Sequence, residues 1–169
     1  MQRDEHKTFG SLGLRPATAD DTPFLMGLFA STRADEVALL AYDSNLQETF
    51  IAMQYNAQTW QYNMSYPQAA HSLILWNDLP IGRLLVDKGL KEFTLVDIAL
   101  LPEHRGSGIG THLLQDLLRE ATDARTSVKL NVWHSNPAKR LYERMGFSTT
   151  KEDGVYCEMK WTPSSLMTL

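Results

Sequence analysis

From Ser44 onward the apolar positions Leu46, Phe50, Met53, Ala57, Trp60 and Met64 alternate at spacings of four and three, as on one face of a helix. The pattern predicts a long helix ending near Tyr66, before Pro67, with that stripe buried, Trp60 included. Upstream, "LGLRP" (12–16) predicts a first strand. In "TADDTPFLMGLFAS", Asp20 or Asp21 can cap a helix whose first turn suits Pro23. The period then changes. "HSLILW" (71–76), "IGRLLV" (81–86) and "EFTLVDIALLP" (92–102) predict an antiparallel meander of three strands. Ile109, Leu113, Leu114, Leu117, Leu118 and Ala121 mark a second amphipathic helix, and "SVKLNVW" (127–133) a further strand. "NPAKRLYERMGF" offers Asn136 as N-cap, Pro137 at the first helical position and Gly146 as stop. "VYCEMKW" (155–161) alternates as a half-buried strand does.

The expectation is an α/β (α+β) chain: one domain over 1–169, with 1–11 and 162–169 as tails, and a mixed, mostly antiparallel sheet of six to seven strands flanked by helices. The length of 169 residues suits one domain, and 43% hydrophobic with 21% charged residues is ordinary globular composition. A net charge of −4 argues against a nucleic-acid surface. No apolar run approaches a membrane span, and the start "MQRDEHKTFG" lacks a signal-peptide core. The single cysteine, Cys157, fits a reducing compartment and a packing role, so the cytoplasm is the expected location.

Composition leaves open the stretch "PEHRGSGIGTHLL", which places Gly106, Gly108 and Gly110 at the mouth of the second long helix. A helix N-terminus carries unpaired N–H groups and partial positive charge, and glycines let a phosphate approach the backbone. Arg105 adds to the anion preference. A tight turn whose glycines serve only packing is the alternative. The spacing fits neither G-x-x-x-x-G-K-S/T nor G-x-G-x-x-G. The strand before the loop also closes an antiparallel meander, not a parallel sheet.

Arg105-x-x-Gly108-x-Gly110, preceded by "DIALLPEH" and followed about thirty residues later by "NPAKRLYERMGF", resembles the pyrophosphate motif and the downstream segment of the GNAT superfamily of N-acetyltransferases. The resemblance implies transfer of the acetyl group of acetyl-coenzyme A to a primary amine by direct attack on the thioester. It implies that the backbone at Ile98, Ala99 and Leu100 faces the pantetheine arm and thioester. Arg105, Gly106, Ser107, Gly108, Ile109, Gly110 and Thr111 would wrap the pyrophosphate. Tyr142 matches the tyrosine that protonates the departing thiolate, although by periodicity it is equally a core residue beside Ala138, Leu141 and Met145. Asn136 stands six residues before Tyr142 where many relatives have seven, so it is either a cofactor contact or only an N-cap.

The base is less defined. Family carboxylate positions align with Thr94 and Asn131, neither of which accepts a proton usefully. Asp97 is the remaining carboxylate, either a base raised by burial or a residue hydrogen-bonded to backbone; water relaying the proton is a third reading. An amine pocket can be built from Tyr42, Tyr55, Trp60, Tyr62 and Tyr66 with Asp35, Glu36, Asp43 and Glu48, or these acids form only a solvated face. The histidines, His134 among them, are scattered without metal-ligand spacing, and no metal is expected. The acceptor is a small-molecule or protein amine; a homodimer through the terminal strand is allowed. Two rivals remain: a catalytically silent acyl-coenzyme A-binding module, and a transferase for a longer acyl chain.

Overall fold

The computed structural model describes residues 11–39 and 43–167. Seven strands form one sheet in the order β1-β2-β3-β4-β5-β7-β6. They are β1 (Leu12–Pro16), β2 (Ala70–Trp76), β3 (Leu79–Lys88), β4 (Phe93–Leu100), β5 (Val128–Trp133), β6 (Ser148–Glu152) and β7 (Tyr156–Trp161). All neighbours are antiparallel except β4 and β5, which the crossover helix makes parallel. The helices are α1 (Thr22–Thr32), α2 (Ala34–Ala38), α3 (Ser44–Ser65), α4 (Ile109–Asp123) and α5 (Ala138–Arg144). No helix among the described residues is long and apolar enough to cross a membrane.

The meander forms as the periodicity predicts, with longer strands because the β2–β3 turn needs only two residues. Asn77 and Asp78, at φ 50° and 64°, close it, as residues that tolerate the left-handed region do in tight hairpins. The seventh strand, β6, has no predicted counterpart, since all five of its residues are exposed and nothing in them alternates. Only pairing with β7 makes it a strand. Val155, predicted as part of the half-buried terminal strand, precedes β7 and is exposed.

Helix α4 buries all six residues of its predicted stripe. Leu114, Leu117, Leu118 and Ala121 pack with Leu130, Val132, Cys157 and Met159 on one face of the sheet, together with Tyr142 from α5, and Ile109 and Leu113 pack with Ile74 and Ile81. Cys157 is therefore a core residue, as expected. On the opposite face, Leu25 and Phe29 of α1 and Ile51 and Tyr55 of α3 cover Leu73.

The predicted orientation of α3 is reversed. Ile51 and Tyr55 face the sheet, whereas Leu46, Met53, Trp60 and Met64 stand 51%, 58%, 67% and 66% exposed. Only Phe50, at the flank of the predicted stripe, touches the core. The other face carries Gln58 and Tyr62, which reach polar partners over the sheet. A periodicity that counts only apolar residues cannot see a face held by tyrosine and glutamine. Asp43 accepts from the Asn45 and Leu46 N–H groups at 3.0 and 3.1 Å, fixing the start of this helix.

Candidate functional site

The site begins with a bulge. Leu85 pairs with Asp97 and Val86 with Leu95, so β4 holds one extra residue, Val96, against β3. Pairing of β4 with β5 runs from Phe93↔Val128 to Leu95↔Leu130 and stops there. A bulge bends its strand and increases local twist, so β4 and β5 part where the extra residue sits. From Val96 to Leu100, β4 keeps β3 on one side and leaves its other edge to the cleft. The Ile98 backbone lies on that edge, and the Leu100 carbonyl there is occupied by Arg105 Nε, which donates to it at 2.9 Å. The Ala99 backbone, expected at the cleft, turns to β3 instead, because successive residues of a strand point their N–H and C=O groups to opposite edges.

Gly82, opposite Leu100, holds this edge in place. A Cβ at Gly82 would meet the Ala99 carbonyl oxygen at 2.3 Å, so only glycine permits β3 to lie this close.

The glycine loop ends at the N-terminus of α4. Gly106 and Gly108 adopt φ of 70° and 88°, the left-handed region that glycine enters without strain. Gly110 has no such need and lies inside the first turn. Gly108 is the N-cap, and no side chain caps the helix. Nothing stands within 4 Å of where a Cβ would be at Gly106, Gly108 or Gly110. The first turn thus presents backbone N–H groups to open space, the arrangement an anion needs, and the residues present fit a pyrophosphate. Ser107 Oγ donates to the His104 carbonyl at 2.7 Å and shapes the loop. Ile109 buries its side chain in the core, so only its backbone faces outward. The Arg105 side chain turns back towards β4 and also reaches Ser31 Oγ at 3.3 Å.

Tyr142 is 7% exposed and packs edge-on against Phe147, with ring centroids 5.8 Å apart. Its hydroxyl is pushed up to about 12, first by burial and then by the Asp97 charge. The core and chemical readings of this tyrosine are therefore compatible. Asn136 Oδ1 accepts from the Ala138 N–H at 2.9 Å, so its side chain caps α5.

Asp97 does not stand among apolar residues alone. Arg83, buried in β3, brings Nε within 2.6 Å and Nη2 within 2.5 Å of Asp97 Oδ2. Nη2 also donates to Gln58 Oε1 at 2.6 Å, and the guanidinium lies 5.7 Å from the centre of the Tyr62 ring. Burial, then Asp97, pushes the Tyr62 hydroxyl up to about 12. His71 of β2 lies in the next row, opposite Leu85. Burial, and then the Arg83 charge, lowers its pKa, and its buried Nε2 finds no hydrogen-bond partner among the described residues.

Of the residues predicted for an amine pocket, the structure assembles few. Tyr55 is in the α1–α3 core, packed edge-on to Phe29. Trp60 faces away, Asp43 caps α3, and Glu36 pairs with Arg33 at 2.9 Å. Tyr42 lies outside the described residues. Tyr62 remains at the cleft beside Asp97, and its hydroxyl also feels Tyr66 and Tyr156. Arg83, Gln58 and His71 escaped the sequence reading, although an arginine inside "IGRLLV" is a signal that could have found the first.

Glu158 also escaped it. It pairs directly with Asn131 across β5 and β7, so the two share a face of the sheet. The carboxylate missing at 131 is thus present one strand away, where Thr150 Oγ1 donates to it at 2.8 Å. No linear signal relates 131 to 158. His134 is likewise not isolated: it pairs with Glu152, whose Oε1 accepts from Cys157 Sγ at 3.4 Å.

Comparison with known proteins agrees with this geometry. A ribosomal protein bS18-alanine N-acetyltransferase of Haemophilus influenzae is 36% identical over 76 residues, 44% of this chain and 52% of that one. The chain therefore spans about half the length of that relative. In fold, the chain is similar to PaiA N-acetyltransferase of Thermoplasma acidophilum in complex with coenzyme A, at TM-score 0.67 and 18% identity over 90% of this chain and 99% of that one. It is also similar to the ribosomal-protein-S18-alanine N-acetyltransferase of Escherichia coli, at TM-score 0.59 and 19% identity over 90% and 94%. The acetyltransferase (GNAT) domain profile matches residues 30–167, and with the match covering most of its length, the chain belongs to the GNAT acetyltransferase family.

Proposed function

We propose that the protein transfers an acetyl group from acetyl-coenzyme A to a primary amine, by direct attack and without an acetylated enzyme. The observation that carries the reading is the juxtaposition of an unpaired β4 edge with the uncapped, glycine-lined N-terminus of α4. Bound in that cleft, acetyl-coenzyme A supplies the acetyl group as a thioester. The N–H groups of Gly108, Ile109, Gly110 and Thr111 hold the pyrophosphate, and the open loop at Gly106 and Ser107 lets it approach.

The free edge at Ile98 offers a backbone donor and acceptor fixed by the sheet, which polarise a carbonyl without reorganising, while Ala99 is turned to β3 and contributes position only. Leu100 contributes position only, because Arg105 engages its carbonyl. Arg105 closes the end of β4 onto the loop and places positive charge beside the anion site. Asn136 starts α5 and so sets the register of Tyr142.

Tyr142 keeps its proton throughout the physiological range and donates it to the leaving sulfur as the C–S bond breaks. The amine loses one proton as the C–N bond forms, and solvent restores one to Tyr142. Asp97 is held by Arg83, so it acts by positioning and by raising Tyr142 and Tyr62, not by accepting the proton. Glu158 and water form the exit for the amine proton, the carboxylate lying beside Asn131. Tyr62 and Tyr66 line the acceptor side.

Turnover with a panel of small amines, polyamines and peptides bearing a free N-terminus tests the reading, with release of free thiol as the readout. Transfer to at least one amine is expected, and Cys157→Ser should retain it. Tight acetyl-coenzyme A binding without thiol release to any acceptor would instead identify a silent binding module. Activity lost in Cys157→Ser, with the fold intact, would overturn direct attack.

A further inference from the structure

The face of α3 that the sequence marks as core is the face the protomer leaves in water. Leu46, Met53, Ala57, Trp60 and Met64, with Phe50 half-buried at the flank, continue a four-three alternation across the whole helix. At about 100° per residue they lie roughly 150° from Ile51, Tyr55, Gln58 and Tyr62, which cover the sheet. This is the spacing of a helix that packs against another helix, and among the described residues only Phe50 of it packs within the protomer's own fold.

We propose that α3 pairs with α3 of a second copy, antiparallel about a two-fold axis near Tyr55. In that register Leu46 meets Met64, Phe50 meets Trp60, and Met53 meets Ala57, so each apolar position finds an apolar partner and the small residue sits against a long flexible one. Each residue i contacts j while j contacts i, the condition of a closed two-fold interface.

Charge selects the same occupant and direction. The only ionisable acid or base along α3 besides its tyrosines is Glu48. Two copies of a chain with net charge −4 need a face of this kind to meet without repulsion. An antiparallel pair keeps the two Glu48 carboxylates about 20 Å apart along the axis, whereas a parallel pair places them side by side.

Area points the same way. The exposed parts of Leu46, Met53, Trp60 and Met64 amount to roughly 500 Å² per protomer, taking about 200 Å² for a large side chain. Doubled, this reaches the ~1,000 Å² that marks a specific interface, before any flanking glutamine or asparagine is counted. By contrast, the ten N-terminal residues hold only Met1 and Phe9 as large apolar side chains, too few to cover a stripe of this length. The pairing is independent of the acetyl-transfer reading, since no residue of the stripe lies in the cleft.

Sedimentation equilibrium of the full chain between 1 and 200 µM tests it. The wild type should run at twice 19.1 kDa, and Met53→Glu with Trp60→Glu should weaken dimerisation at least a hundredfold while circular dichroism and coenzyme A binding stay unchanged. Direction is read by mixing a Leu46→Cys chain with a Met64→Cys chain. Oxidation should give mainly the mixed 46–64 disulfide, and predominant 46–46 and 64–64 bridges would overturn the antiparallel register. A wild type that remains monomeric throughout the range overturns the proposal, whether another protein or the chain's own terminus covers the stripe. So does a dimer that survives the double glutamate variant, and dissociation by Val155→Glu would then assign it to the terminal strand.

Discussion

Arg83 Nε donates to Asp97 Oδ2 at 2.6 Å across β3 and β4, and the same guanidinium reaches Gln58 of α3. One buried cation therefore ties the strand that edges the cleft to α3. Removing the cation leaves a carboxylate in a site that is 24% exposed, without its partner. Breaking such a pair from one side costs about 3 kcal/mol or more. Arg83→Leu should lose stability on that scale in urea unfolding, and Asp97→Asn less, because the asparagine oxygen still accepts. Equal, small losses in both would show that the pair is dispensable.

Asp97 also acts on Tyr142. Its charge is the second cause, after burial, that raises the tyrosine hydroxyl to about 12. Replacing the charge by Asn lowers that value, so the alkaline limb of the rate profile should move to lower pH in Asp97→Asn while the acid limb stays. Tyr142→Phe should reduce turnover by roughly a hundredfold to a thousandfold with coenzyme A affinity retained, as for loss of a general acid. Unchanged turnover in Tyr142→Phe would remove the tyrosine from the chemistry.

Stability follows the same two tyrosines. Tyr62 and Tyr142 keep their protons to about 12 in the folded protein, whereas the unfolded chain releases them near 10. The unfolded state then binds fewer protons, so stability is fully present below about pH 10 and falls between pH 10 and 12. The slope of unfolding free energy against pH in that window should be shallower in Tyr62→Phe and shallower still in the double phenylalanine variant.

Gly82 and Gly108 separate two uses of glycine. Gly82→Ala drives a methyl group into the Ala99 carbonyl, and should cost about 2 kcal/mol and weaken coenzyme A binding together, because the same strand edge moves. Gly108→Ala meets no atom within 4 Å but must hold φ at 88°, at about 1–2 kcal/mol of strain. Thermal shift with and without coenzyme A distinguishes them: the smaller loss of intrinsic stability at Gly108 should come with the larger loss of ligand-induced stabilisation.

Much of this was legible from sequence. The α4 stripe, the meander, the α5 stop at Gly146 and the glycine loop rest on local rules: one apolar face per helix, a left-handed residue where the chain turns, unpaired N–H groups at a helix start. Such rules act over a few residues, so spacing alone reports them. What only the tertiary structure decided depends on partners far apart in the chain. β6 is a strand because β7 lies beside it, and Glu158 stands by Asn131 because β5 and β7 pair in that register. Asp97 belongs to Arg83 because β3 and β4 are neighbours. The orientation of α3 is the plainest case: the four-three pattern predicts its apolar stripe as the buried face, but the sheet took the opposite face, where tyrosines and a glutamine have polar partners, and Leu46, Met53, Trp60 and Met64 stand exposed. Periodicity marks an apolar face; only packing tells whether the fold buries it.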